Sequence, residues 1–122
     1  MNSPEIEKLN GKVIEKSKAL IIVEIIEYVP NSVVSKTIIK KSTGTVSVVA
    51  IDIGEGLTEK TSPFDTFCQI IEGNAEIVID GKSHFLKTGQ SIIIPAYTSN
   101  RVKANERFKM ILTVIKSDEH SV

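Results

Sequence analysis

The fold is decided by the stretch from Phe67 to Pro95, which reads FCQIIEGNAEIVIDGKSHFLKTGQSIIIP. Short apolar or alternating runs in it are separated by turn residues at positions 72–74, 80–81 and 87–89. The pair Asp80-Gly81 is the strongest turn signal, because a two-residue type I′ hairpin loop needs a positive φ at both central positions. Turns at such short intervals leave no room for helices between the runs. The sequence therefore predicts an antiparallel sheet that closes or doubles over on itself.

The rest of the chain continues the pattern of short apolar runs between turns. A turn at Pro30-Asn31-Ser32 and a loop from Leu57 to Asp65 interrupt it. With the central stretch, these runs predict about nine strands and almost no helix. The further strands are expected over Val33–Lys40, Thr45–Ile53, Arg101–Ala104 and Phe108–Ile115.

A separate apolar segment lies near the N-terminus, from Ala19 to Ile26. Its periodicity does not decide between a strand and a strand followed by a short helical turn. The residues before it and the last residues of the chain are polar. We therefore expect one barrel domain over residues 18–116, preceded by a partly flexible segment, 1–17, and followed by a flexible tail, 117–122.

Composition limits the classes of function. A chain of 122 residues supports one domain with one core. Lysine and arginine equal aspartate and glutamate at 15 each, so the basic surface of a nucleic-acid-binding protein is missing. No apolar run is long enough to span a membrane, and the first residues lack the pattern of a secretory signal. The single cysteine, Cys68, excludes an internal disulfide. We expect a soluble cytoplasmic protein without a nucleic-acid or membrane partner.

Two short motifs in the central stretch resemble those of a known family, the cupins. Ile70-Ile71-Glu72-Gly73 resembles the end of the first cupin motif, and Gly89–Pro95 followed by Asn100 resembles the second. The resemblance is closer to small single-domain cupins of the conserved-barrel type, and it covers roughly residues 30 to 116. The other segments that carry it are Val33–Thr37, Gly56–Glu59, Pro63–Asp65, Ile92–Ala96 and Arg107–Leu112. It implies an all-β fold, an antiparallel double-stranded β-helix or jelly-roll barrel, and a homodimer.

The metal ligands of the family are replaced in this chain. Metal-binding cupins place two histidines and a carboxylate in the first motif and a histidine in the second. The matching positions here are Lys60, Ser62, Thr66 (or the adjacent Asp65) and Asn100. A divalent transition metal prefers imidazole, thiolate or carboxylate ligands, and a lysine repels it. The resemblance therefore implies a barrel that has lost the divalent metal site of the family, and we expect no cofactor.

Strand alternation predicts the lining of the barrel. If the positions that match metal ligands face inward, residues two apart along the same strands follow them. The result is a mostly apolar cavity with a polar rim, which is typical of a small-molecule pocket. The alternative is a barrel filled solid by its own side chains. The predicted lining residues are Lys60, Ser62, Thr66, Cys68, Ile70, Asn100, Val102, Met110 and Leu112.

Three residues are candidates for catalysis. Lys60 and Asp65 could form an acid–base or Schiff-base pair at the mouth, or an exposed ion pair of little consequence. Asp65 could instead cap backbone amides of the turn over residues 63–66, which is the interpretation we favour. Cys68 could be a reactive thiol, but a free cysteine is usually a small buried hydrophobe. His84 is expected opposite Ile77 as a packing partner.

The apolar segment Ile21–Ile26 is hard to cover within one short barrel, so it is expected to add as a strand to the sheet of a second copy.

Three functions remain open on the sequence. The first is a metal-free binding protein, a sensor, carrier or accessory protein for an unknown small molecule. The second is an isomerase, lyase or cyclase that uses Lys60, Asp65 or Cys68, and the third is a structural barrel without a ligand.

Overall fold

The structure, a computed structural model, describes residues 14–116 of the chain. Most of the predicted flexible segment 1–17 and all of the predicted tail 117–122 lie outside these residues. The described part contains one 3₁₀ turn, Ile22–Glu24, and eight strands. The strands are β1 (Val33–Lys41), β2 (Gly44–Ile51), β3 (Gly56–Thr61), β4 (Asp65–Ile79), β5 (Lys82–Lys87), β6 (Ser91–Ile94), β7 (Ser99–Lys103) and β8 (Phe108–Ile115).

All strand pairs are antiparallel, and β4 is at the centre of the arrangement. The order is β1-β2-β8-β4-β7-β3, and both β5 and β6 also pair with β4. The first half of β4 pairs with β6 and β8, whereas its second half pairs with β5 and β7. The sheet therefore doubles over along β4 and encloses one core. This is the all-β jelly-roll barrel that the sequence predicted, so the fold class is confirmed.

The turn predicted at residues 72–74 is wrong. β4 runs for 15 residues straight through it. Instead of reversing the chain, Gly73 adopts a φ of 88°, and the register with β8 shifts between Ile70 and Glu72. A β-bulge of this kind bends a strand without ending it. The bend at Gly73 is where β4 passes from one half of the barrel to the other.

Two other local predictions have opposite outcomes. The hairpin at Asp80-Gly81 is confirmed: both residues have a positive φ, 49° and 83°, and His84 lies opposite Ile77. The loop predicted from Leu57 to Asp65 is wrong over its first half, which forms β3. β3 is short, polar and bulged, so it lacks the apolar alternation by which strands are found in a sequence. The described residues hold eight strands, not about nine.

The core lies between the two halves of the barrel and follows the predicted alternation. Phe108 and Met110 of β8 are fully buried, as are Cys68 and Ile70 of β4. They belong to one cluster of inward-facing side chains, against which Leu112 also packs. The even positions of β8 and of the first half of β4 therefore face inward, as the period of two predicts.

The strand predicted for the apolar N-terminal segment is wrong. Within residues 20–28, here called the strap, the only regular structure is the 3₁₀ turn. The strap packs on the outer face of its own barrel, where Ile26 is buried against Val48 and Ala50 of β2. Ile26 therefore needs no neighbouring subunit to cover it, whereas Ile21 stays 60 % exposed, and dimerisation through this segment stays a prediction.

A polar cluster fastens the strap to the barrel. The Lys109 ammonium donates a hydrogen bond to the Val23 carbonyl at 2.6 Å and lies 3.9 Å from the Glu72 carboxylate. Tyr28 donates to the same carboxylate at 3.0 Å, and its ring packs against the guanidinium of Arg107 at 4.3 Å. Burial and the hydrogen bond to Glu72 raise the pKa of Tyr28 above its ordinary value. Lys109 is buried, so its charge is stabilised by these partners instead of water.

Helices that could cross a membrane are not found among residues 14–116.

Candidate ligand-binding pocket

A cavity of about 110 Å³ opens at one end of the barrel. Five strands and the loop between β3 and β4 contribute to it. Lys60 of β3 lies opposite Asn100 of β7, and Thr66 of β4 lies between Ile94 of β6 and Val114 of β8. The complete lining is Leu57, Lys60, Ser62, Phe64, Thr66, Ile94, Pro95, Asn100, Val102, Leu112 and Val114.

The polar groups of the pocket lie at its rim, and they differ in how many of their hydrogen bonds are made within the protein. Asn100 is only 7 % exposed, and its Nδ2 donates a long hydrogen bond, 3.4 Å, to the Lys60 carbonyl. Its Oδ1 accepts no hydrogen bond from the described residues. The Ser62 hydroxyl oxygen accepts from the Phe64 amide at 3.1 Å, which leaves its proton free to donate. A donor and an acceptor are therefore offered to a molecule in the cavity.

The charge of the pocket comes from a single group. Lys60 is the only charged side chain in the lining, and the lining contains no aspartate or glutamate. The neighbouring Glu59 is turned away, and its carboxylate accepts a hydrogen bond from the Ser99 hydroxyl. The pocket therefore carries one positive charge at its rim above mostly apolar walls.

Six of the nine predicted lining residues surround the cavity, and three do not. Lys60, Ser62, Thr66, Asn100, Val102 and Leu112 line it. Cys68, Ile70 and Met110 face inward but lie below the cavity, fully buried in the core. The larger hollow expected from the sequence is therefore wrong in its lower part, because bulky side chains from both halves of the barrel fill it.

Five lining residues were not among the nine predicted: Leu57, Phe64, Ile94, Pro95 and Val114. Leu57 was assigned to a loop, and Phe64 belongs to the turn before β4. Ile94 and Pro95 were available from the second motif, since Ile94 lies in β6 directly opposite Thr66. If the two motif strands had been assumed to pair, Ile94 could have been predicted as a lining residue.

Cys68 lacks the surroundings of a nucleophile. Its side chain is fully buried, and its Sγ lies 3.7 Å from the Met110 Sδ. Burial raises the pKa of the Cys68 thiol to about 12. A thiol must ionise to attack, so this one is inert at neutral pH.

Asp65 has a structural role, but not in the turn that was predicted. Its carboxylate accepts a hydrogen bond from the Ala96 amide at 2.8 Å, which ties β4 to the loop after β6. The turn over residues 63–66 is capped by Ser62 instead. Asp65 does not line the pocket, and residues 14–116 show no ion pair between it and Lys60. The acid–base pair considered as an alternative for the mouth is therefore not formed among these residues.

The side chains at the mouth do not fit the metal that the resemblance to cupins implies. Lys60 is a cation, and Ser62 and Asn100 are neutral and weak ligands. The Asp65 carboxylate is engaged with a backbone amide outside the pocket. In the part of the chain that the structure describes, no three His, Cys, Asp or Glu side chains are grouped to hold a metal ion. His84 lies on β5 and is not among the residues that line the pocket.

Several solved structures are similar to this chain over most of its length. A conserved protein of unknown function from Streptococcus pyogenes is 29 % identical, with 88 % of this chain and 95 % of that chain covered and a TM-score of 0.83. A cupin superfamily protein from Desulfitobacterium hafniense is 23 % identical, with 88 % and 98 % covered and a TM-score of 0.81. A cupin 2 conserved barrel domain protein from Leptotrichia buccalis is 30 % identical, with a TM-score of 0.75. That match covers 77 % of this chain and 46 % of the other.

No protein-family model matches the chain, and no curated protein matches it.

Proposed function

This chain belongs to the cupin superfamily, and we propose that it is a binding member of it that holds a small organic anion at the barrel mouth without a metal ion. The observation that carries the proposal is the charge of the pocket. Lys60 is its only charged side chain, and the buried Asn100 amide and the Ser62 hydroxyl lie at the same rim. A few polar groups over apolar walls are the usual composition of a small-molecule site.

The size of the cavity limits the ligand. A volume of about 110 Å³ equals about four water molecules at the roughly 30 Å³ that each occupies in the liquid. Drug-sized ligands need roughly 300–1,000 Å³. A carboxylate with a short carbon chain fits: its charged end reaches Lys60, and its carbons contact Leu57, Val102 and Leu112.

Calorimetric titration with propionate and with its neutral amide, propionamide, tests the proposal. We expect propionate to bind more tightly than propionamide, because only the carboxylate interacts with the Lys60 ammonium. Lys60→Gln keeps a similar length without the charge. Lys60 is exposed, so the loss should be modest, about 2- to 5-fold in Kd for propionate.

Lys87→Gln is the matched control, since Lys87 is an exposed lysine on β5 outside the pocket. It should bind propionate as the unchanged protein does. Equal affinity for propionate and propionamide, or equal loss in both variants, would refute a charge-selective site at the mouth.

The proposal that the protein binds no metal ion is tested separately. Elemental analysis of the purified protein, followed by titration with Zn²⁺, Mn²⁺ and Fe²⁺, should show neither a stoichiometric metal nor tight uptake. The reason is the side-chain chemistry at the mouth, where the lysine disfavours a cation. Tight binding of one metal ion per barrel would contradict it.

No observation favours the catalytic alternative strongly enough to propose a reaction. Of its three candidate residues, Lys60 alone lines the pocket.

A cytoplasmic location is part of our proposal because the one cysteine is a free thiol. Recovery of the chain from the secreted fraction would contradict it.

A further inference from the structure

Asn100 is the most deeply buried polar side chain in the lining of the pocket. It precedes the exposed Arg101 on β7, so the alternation of the strand directs it inward, to the same face as Val102. Val102 belongs to the core cluster. The Asn100 amide is therefore held where the polar rim meets the apolar walls.

The orientation of the Asn100 amide is set by the neighbouring strand. Its Nδ2 donates to the Lys60 carbonyl on β3. Turning the amide over would bring its Oδ1 against that carbonyl oxygen, where two acceptors would repel each other because neither carries a proton. The acceptor end of the amide therefore points away from the Lys60 carbonyl.

The Asn100 oxygen is open to the contents of the cavity. Among residues 14–116, no fully enclosed side-chain oxygen or nitrogen lacks a hydrogen-bond partner. The Asn100 Oδ1 accepts no hydrogen bond from these residues, so it is reached from the cavity that its side chain lines. A ligand that displaces water from such an acceptor without donating to it loses affinity. The oxygen therefore favours a ligand that carries a hydrogen-bond donor.

The charge at the rim decides which donor suits this oxygen. Hydroxyl and ammonium groups both donate hydrogen bonds. Lys60 lies directly opposite Asn100 in the strand register, and side chains paired in this way start about 5 Å apart. An ammonium group on the ligand would be repelled by Lys60, and the lining has no carboxylate to offset the repulsion. A hydroxyl is neutral, so it carries no such penalty.

The close pairing of Lys60 and Asn100 also limits where the hydroxyl stands on the ligand. One molecule must present a carboxylate to the first residue and a hydroxyl to the second. A hydroxyl on the second or third carbon of an acid is near enough to the carboxylate to reach both. The cavity of about 110 Å³ restricts the acid to a short carbon chain.

We propose that the pocket selects short hydroxy acids with the hydroxyl on carbon 2 or 3, and that Asn100 is the residue that selects them. The carboxylate binds at Lys60 and Ser62, and the ligand hydroxyl donates to the Asn100 Oδ1. The proposal rests on the anion site proposed above and adds the class of acid that this site prefers.

Calorimetric titration with a matched series of three-carbon acids tests the proposal. Propionate has no donor beside its carboxylate, D-lactate, L-lactate and 3-hydroxypropionate add a hydroxyl, and L-alanine adds an ammonium group. We expect at least one hydroxy acid to bind about 2- to 10-fold more tightly than propionate, which is the range of one neutral hydrogen bond. L-Alanine should bind more weakly than that hydroxy acid.

Asn100→Leu keeps a similar shape without the acceptor. In this variant the hydroxy acids should lose their advantage and bind no more tightly than propionate. Asn74→Leu is the matched control, because Asn74 is an exposed asparagine on β4 outside the lining. It should keep the advantage in full. Circular dichroism establishes that both variants are folded.

A second measurement needs no substitution. In the unchanged protein, the side-chain amide resonances of Asn100, assigned by triple-resonance NMR, should shift more with the preferred hydroxy acid than with propionate. Equal shifts with the two acids would overturn the role of Asn100.

The possible outcomes distinguish this proposal from the one on which it rests. If no hydroxy acid binds more tightly than propionate while propionate still binds more tightly than propionamide, the anion site stands and the selectivity for a hydroxyl is wrong. An advantage that survives in Asn100→Leu would overturn the role of Asn100. Tightest binding of L-alanine would overturn the choice of a hydroxyl over an ammonium group. No binding of any acid in the series would overturn both proposals.

Discussion

At the scale of single residues, Cys68 shows how burial decides chemistry. The thiol is fully enclosed, and burial raises its pKa to about 12, whereas an unfolded cysteine ionises near 8.5. Between these values the folded state holds the proton and the unfolded state does not. The contribution of the neutral thiol to stability is therefore complete below about pH 8.5 and is lost as the pH rises toward 12.

Cys68→Ala isolates this effect from the titration of lysines and tyrosines. We expect the free energy of unfolding of the unchanged protein to fall more steeply above pH 9 than that of the variant. The difference in slope should approach 1.4 kcal/mol per pH unit. Urea unfolding at pH 8, 9 and 10 measures it. Parallel pH profiles, or rapid labelling of the native thiol at pH 8 by Ellman's reagent, would show that Cys68 is accessible.

Residue types and alternation revealed much of the pocket, and contacts between distant segments explain what they missed. The rim residues Lys60, Ser62 and Asn100 were found because the cupin motifs fix their positions. The depth of the cavity was not found, since it depends on how closely Cys68 and Met110 pack across the barrel. The amide that Asp65 holds belongs to Ala96, 31 residues away, so no local turn signal could identify it.

At the scale of elements, Gly73 determines whether β4 can serve both halves of the barrel. Its φ of 88° is strained for any residue with a side chain, and a Cβ there would lie 2.5 Å from the Arg107 carbonyl oxygen. Gly81 has a similar φ of 83° with no atom within 4 Å of its would-be Cβ. Substituting alanine at each of the two glycines therefore distinguishes the cost of backbone strain alone from the cost of strain plus a steric clash.

Gly73→Ala should destabilise the protein more than Gly81→Ala. We expect a loss of about 1–2 kcal/mol for Gly81→Ala from backbone strain alone. For Gly73→Ala we expect at least about 1 kcal/mol more, because backbone must move to relieve the clash. Urea denaturation measures both. Equal losses would mean that the bulge accommodates a methyl group.

The turn residues in the sequence indicated where the backbone adopts a positive φ, but not whether the chain reverses its direction there. Asp80-Gly81 formed the predicted hairpin because both strands beside it are long enough to pair with each other. Glu72-Gly73-Asn74 has the same composition as a turn, yet the strands beside it pair with four other strands, and the chain continues. A positive φ at glycine can be read locally, whereas the choice between reversal and bulge depends on these distant partners.

At the scale of the whole molecule, the proposed ligand site is built from strands that are far apart in the sequence. Lys60 lies on β3 and Asn100 on β7, whereas Thr66 lies on β4 and Val114 on β8. Neighbouring strands in the order β8-β4-β7-β3 pair with each other, so the rim is held by the closure of the barrel and not by a local turn.

The packed sulfur atoms of Cys68 and Met110 below the cavity give the barrel a blind end. The ligand proposed for the mouth would therefore enter and leave past Lys60, and a second molecule could bind only after the first has dissociated. Exchange of the proposed ligand would then proceed one molecule at a time through a single opening.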